Sequence, residues 1–117
     1  MQGGRAEIMH ELSICQGIVE SVCEAVPEGE VLVVTVEIGK LSGVVPEAVR
    51  FCFDACAHGT RVEGARLDVV EVPGRGRCGS CDRELDMDEL IARCSCGNPF
   101  LEIVRGRELR IRSVEVN

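Results

Sequence analysis

The chain has 117 residues, 45% of them hydrophobic, which is enough for one core and a small appended lobe that needs help to fold. Its formal charge of −7, with three Phe, no Trp and no Tyr, excludes broad contact with a phosphate backbone and leaves little aromatic surface for stacking bases or sugars. The opening residues MQGGRAEI hold no apolar stretch of the secretory type, and no later apolar run approaches the roughly 18 residues of a membrane span, so a cytoplasmic protein away from membranes is expected.

From Glu11 to Val26 the apolar residues Leu12, Cys15, Ile18, Val19, Val22 and Val26 recur at helical spacing, until Pro27 and Gly29 stop the pattern. This predicts an amphipathic helix with His10 just before its start. Val31 to Ile38, VLVVTVEI, is dense in β-branched residues and closes on Gly39, as expected of a strand buried on both faces. Pro46 suits the first turn of a second helix, where its missing N–H would have had no partner. That helix places Ala48, Val49, Cys52, Phe53 and Cys56 on one side and is expected to end at Gly59. Ala65 to Val72 reads as a second strand, broken at Pro73, Gly74 and Gly76. The segment from Arg77 to Pro99 is polar and poor in large side chains, and strand character resumes in LEIV and ELRIRSVEV. In the last strand the apolar phase slips from Leu109 and Ile111 to Val114 and Val116, which points to a bulge or a change of sheet near Arg112 and Ser113.

The architecture these elements imply is α+β: two helices packed on a small three-stranded mixed sheet, with an inserted zinc-ribbon-like lobe. Residues 9–73 with 106–117 form the main domain, residues 74–105 the cysteine lobe, and residues 1–8 an amino-terminal extension.

Eight cysteines in a reducing compartment read as metal ligands or buried thiols before disulfides. Cys78 and Cys81 have the spacing that lets one turn aim two sulfurs at one ion, with Gly79 easing the bend. Cys94 and Cys96 are tighter, and Gly97 relieves part of the strain. Four thiolates favour zinc, with iron the competitor, and leave no open coordination position for water activation. The metal then substitutes for the core this lobe lacks. Around a divalent cation the four thiolates add about −2 to the charge. Cys15, Cys52 and Cys56 lie on apolar helix faces, where a thiol behaves as a small hydrophobe; Cys23 is less clearly placed. His58, beside the expected cap at Gly59, suits helix carbonyls. His10 by position alone is a polar residue at a helix start. No nucleophile and base pair, paired-carboxylate motif or phosphate-binding loop suggests an enzyme.

The string MHELSICQGIVE, followed by VEIGKLSGVVPEAVRFCFD, GTRVEGARLDVVEVPGRGRC and GRELRIRSVEV, resembles the HypA/HybF family of nickel metallochaperones for NiFe-hydrogenase maturation. The resemblance runs from Met9 to Val116. It implies that Met9, His10 and Glu11 match the nickel motif, in which the ion sits on the terminal amine, the histidine and the following backbone amides. It also implies that Cys78, Cys81, Cys94 and Cys96 match the ligands of a structural Zn2+, while Ni2+ is the transported ion. The implied partners are the GTPase HypB and the hydrogenase large subunit, with a homodimer left open. Nickel(II) accepts nitrogen and oxygen donors at an accessible site, whereas a closed thiolate cage does not release its ion quickly.

Two features depart from that family. Residues MQGGRAEI precede Met9, and the expectation is that Met9 is the native start, so that its amine is free. The second cysteine pair has one intervening residue where the family usually has two. Relatives often carry an acidic residue in the loop before the second helix, which leaves Glu47 here by proximity. The competing reading from another class is a zinc-ribbon protein-interaction module without nickel transfer, in which His10 is incidental.

Overall fold

A computed structural model of the chain describes the backbone from Gln2 to Asn117 and the side chains from His10 onward. The elements run in the order α1 (Gln2–Ala25), β1 (Val31–Gly39), α2 (Pro46–Ala57), β2 (Arg66–Val72), β3 (Gly74–Cys78), β4 (Glu84–Met87), β5 (Leu101–Arg105) and β6 (Leu109–Val116). The fold is α+β, with two helices and two small sheets.

The first sheet has the strand order β2-β1-β6. Gly39 donates its N–H to the Glu108 carbonyl at 2.7 Å, and Asn117 donates to Glu30 at 2.9 Å, so β1 and β6 run antiparallel. Lys40 donates to the Val72 carbonyl at 2.9 Å, which sets the ends of β1 and β2 side by side, with α2 as the crossover between parallel strands. The expected mixed sheet is therefore present. In β1 only Leu32 is exposed, as the density of β-branched residues led one to expect. In β6 the half-buried residues are Ile111 and Val114, three apart, so the strand changes its inward phase between them, across Arg112 and Ser113.

The chain forms two compact units, with boundaries inside β1, β2 and β6 and in the loop before α2. One contains the chain up to Val36, Val45–Val69 and Ile111–Asn117. Its core is the apolar face of α1 (Cys15, Ile18, Val19, Val22), the face of α2 (Val49, Cys52, Phe53, Ala57), the inward valines of β1 and Val62. Removing these branched side chains from water is the main force holding the helices to the strand. Pro46 occupies the first turn of α2, as its chemistry predicts. The helix ends at Ala57, two residues before the expected stop, and Gly59 takes the left-handed conformation at φ +77°.

The other unit contains Glu37–Val44 and Val70–Arg110 and carries the second sheet, order β4-β3-β5. β2 ends at Val72 and Pro73 separates it from β3, as expected of a break there. Gly74 and Gly76 do not prolong that break; they lie inside β3, the central strand, paired antiparallel with Met87 and Leu85 of β4 and with β5 on the other side. A Cβ at Gly74 would strike the Met87 carbonyl and Leu41, so glycine is required there, and one at Gly76 would force the Met87 thioether to move. The signal that normally marks a turn marks close approach instead.

The first helix also differs from expectation. It begins at Gln2 rather than Glu11, so His10 lies within a helix and not ahead of one. No proline interrupts residues 2–10, and Ala6, Glu7, Met9 and Glu11 are good helix formers, so the helix continues to the amino-terminal side of the apolar repeat. No helix among the described residues is long and apolar enough to cross a membrane.

Candidate metal centre

Cys78 ends β3, and the chain turns at once: Asp82 donates its N–H to the Cys78 carbonyl at 2.8 Å and Cys78 donates to Arg83 at 2.9 Å. Asp82 accepts the left-handed conformation this requires, at φ 61°. The second pair sits in a similar turn. Gly97 donates to the Cys94 carbonyl at 2.9 Å and Cys94 donates to Asn98 at 3.0 Å, with Gly97 at φ +100°. The expectation that Gly97 absorbs the bend of the short pair is met.

These turns bring Cys78, Cys81, Cys94 and Cys96 together, with all four sulfurs within 4.8 Å of one another. Cys78 and Cys96 are 3.5 Å apart, as are Cys81 and Cys94, so each contact joins one turn to the other. Zinc–sulfur bonds of about 2.3 Å require tetrahedral sulfur separations of about 3.8 Å, which lies between those two distances. Among the described residues no histidine or carboxylate belongs to the group. The donor set fits a soft or borderline divalent ion in a closed tetrahedral site, and zinc is the ion such sets ordinarily hold.

Backbone amides are aimed at the sulfurs in a repeated pattern. The N–H groups of Ser80 and Cys81 face Cys78, that of Arg83 faces Cys81, that of Cys96 faces Cys94, and that of Asn98 faces Cys96. Every sulfur thus receives the N–H two residues ahead of it, and the one-residue gap of the second pair preserves the arrangement. Such donors stabilise thiolate charge. The Asn98 side-chain amide adds one more, donating to Cys78 Sγ at 3.4 Å, while its own oxygen is fixed by the Phe100 N–H at 3.1 Å.

The consequence is a division among the free thiols. Cys78 is lowered to about 6, chiefly by the Asn98 amide and then by the Cys81 N–H. Cys94 is lowered as well, first by the Cys96 N–H. Cys81 rises to about 11 although the Arg83 N–H favours its thiolate, because the hydrogen bond with Cys94 and burial outweigh that donor. Cys96 rises too: the Asn98 N–H opposes the shift, and hydrogen bonds with Cys78 and Cys94 prevail.

The amino-terminal candidates are arranged differently. The Met9 side chain lies outside the described residues. His10 is exposed on α1. Glu11 is fully buried: its Oε2 accepts the N–H of Val45 at 2.9 Å, and its Oε1 has no hydrogen-bond partner among the described residues. An unpartnered buried oxygen costs about 1–3 kcal/mol, and more when the group is charged. Residue spacing did not reveal this contact, which joins positions 34 apart in sequence. Glu47 is exposed and paired with Arg50 at 2.9 Å.

The remaining cysteines behave as the helix faces predict. Cys15 is fully buried, donating to the Val49 carbonyl at 3.2 Å, and Cys52 is buried on α2. Cys56 is half-buried, 3.8 Å from the Leu12 carbonyl, and Cys23 is half-buried on α1. His58 pairs with Glu63 at 3.1 Å, on the surface beyond α2.

The family model described as hydrogenase/urease nickel incorporation, metallochaperone, hypA matches residues 9–116. A hydrogenase maturation factor HypA of Geobacter sulfurreducens is 51% identical over 110 residues, covering 92% of this chain and 99% of the relative. The one from Nostoc punctiforme is 45% identical over 108 residues, covering 92% and 96%. Among solved structures, that of the nickel metallochaperone HypA from Helicobacter pylori shares the fold, with a TM-score of 0.63 at 21% identity, covering 91% of this chain and 96% of that one. A second HypA solution structure gives 0.61 at 22% identity, covering 91% and 92%. With a family model spanning all but the first eight residues and the last, and relatives this similar over nearly their whole length, the chain belongs to the HypA family of nickel-incorporation metallochaperones.

Proposed function

We propose that this chain binds Ni(II) through its amino-terminal segment and delivers it for maturation of a NiFe-hydrogenase, while Cys78, Cys81, Cys94 and Cys96 hold a structural zinc ion. The observation that carries this reading is the contrast between two donor sets: four sulfurs enclosed by amide donors, and one exposed imidazole on a helix near the amino end. A closed thiolate site serves folding, and an open nitrogen site serves transfer. The main domain, residues 9–73 with 106–117, is then the nickel-handling part, and residues 74–105 the zinc lobe. A GTPase of the HypB type and the hydrogenase large subunit are the partners this role requires, in the cytoplasm.

Nickel coordination on this reading uses the Met9 amine, the His10 imidazole and the backbone amides of His10 and Glu11. The first four N–H groups of a helix have no intrahelical partner, so a helix beginning at Met9 leaves those amides available. With the helix running from Gln2, the same amides are drawn into its hydrogen bonds, and in a chain that continues ahead of Met9 the amine is lost.

The experiment is a nickel titration followed by transfer to a competing chelator, performed on the full chain, on a chain beginning at Met9, and on His10→Ala in each. The chain beginning at Met9 is expected to bind one nickel ion most tightly, and His10→Ala to weaken it by about tenfold or more, the loss of about 1.4 kcal/mol of coordination energy. Equal uptake and release by His10→Ala would leave only the zinc lobe standing.

A further inference from the structure

Glu11 sits in the nickel motif, yet its carboxylate is enclosed where an incoming ion does not reach it. One oxygen is committed to the Val45 N–H at 2.9 Å, and the other meets no donor among the described residues. Val45 is the N-cap of α2, its own side chain provides no cap, and Pro46 after it has no N–H. The electropositive start of α2 is therefore served from another helix, by an anion placed where the helix dipole favours one. An apolar side chain of similar size would fill the same volume without burying an unpartnered oxygen. The neighbouring residue on α1 is the exposed His10.

We propose that Glu11 is a positioning residue of the nickel site and that its carboxylate is not a donor to the metal. It ties the turn of α1 that bears His10 to the start of α2, and so fixes the backbone from which the imidazole and the amides reach the ion. This role rests on the nickel reading given above. Glu11 then contributes its backbone amide to the ion and its side chain to the scaffold.

Two variants separate the roles. Glu11→Gln keeps an oxygen for the Val45 N–H, and Glu11→Ala removes it. Each is titrated with nickel, its ligand-field absorption is recorded at saturation, and amide exchange at Val45 is followed. Glu11→Gln is expected to bind one nickel with an unchanged spectrum and a protected Val45 amide. Glu11→Ala is expected to exchange Val45 about tenfold faster or more, to bind nickel several-fold more weakly, and to reach the same spectrum once saturated. A changed spectrum in Glu11→Gln makes the carboxylate a ligand and overturns the proposal, even if Glu11→Ala does not fold. Faster exchange with undiminished nickel affinity in Glu11→Ala also overturns it. If His10→Ala binds nickel as well as the parent, the nickel reading fails and this role fails with it, whereas Val45 exchange still reports the tie between the helices.

Discussion

Asn98 shows how one side chain completes a site that its neighbours only outline. Its amide donates to Cys78 Sγ, its side-chain oxygen is held by Phe100, and its carbonyl receives the Cys94 N–H, so a single residue links both turns of the cysteine centre. Hydrogen bonds to ligand sulfur reduce the charge that the metal must balance, and partners of this kind typically change affinity by about 10- to 100-fold. Asn98→Ala is therefore expected to retain one zinc per chain while losing it about tenfold more readily to a chromophoric chelator. Equal retention by variant and parent would show the amide contact to be idle. In the sequence Asn98 is legible only as a residue able to accommodate a turn. The cysteines stand out because their chemistry is tied to their spacing, whereas an amide gains its role from the sulfur it meets 20 positions away.

At the scale of elements, the apolar faces of α1 and α2 are legible from periodicity, because residues three and four apart share one face of a helix. Between the two helices Cys15 is enclosed, and its thiol is pushed up to about 12, first by burial and then by repulsion from Cys56 and Cys52. A free cysteine titrates near 9.0, so over the interval from 9.0 to about 12 the unfolded chain loses a proton that the folded one keeps. Stability contributed by the neutral thiol is present in full below that interval and falls as pH rises through it, by up to about 1.4 kcal/mol per pH unit for one proton. Denaturant midpoints measured across that alkaline interval should drop less in Cys15→Ala than in the parent. Parallel declines would show that Cys15 does not carry this titration. The amino end of α1 was less legible. Residues 2–10 carry helix formers but no apolar repeat, so periodicity marks a start only at Glu11.

For the molecule as a whole, the zinc reading predicts a division in stability. Below the size at which a core suffices, a small lobe depends on its metal, and zinc binding to such lobes supplies folding free energy directly. The purified chain should contain one zinc with four sulfur neighbours by X-ray absorption, and three or fewer would contradict the assignment. Removing zinc with a chelator under reducing conditions should abolish amide protection in β3, β4 and β5 while the helical circular dichroism of α1 and α2 survives. Helices that melt together with the lobe would show instead that the ion supports the entire chain.

The sequence alone determined the four cysteines that come together, the amphipathic faces of both helices, the buried strand β1 and the family resemblance. Those properties follow from residue chemistry and short-range spacing, which a one-dimensional pattern preserves. Only the tertiary structure decided that Gly74 and Gly76 belong to a strand, that Asn98 serves Cys78, and that the Glu11 carboxylate turns inward to Val45. Each of these depends on which distant segment arrives beside the residue. A glycine needed for close packing reads like a glycine needed for a turn, and a carboxylate shows its role only once the N–H it accepts has been brought to it.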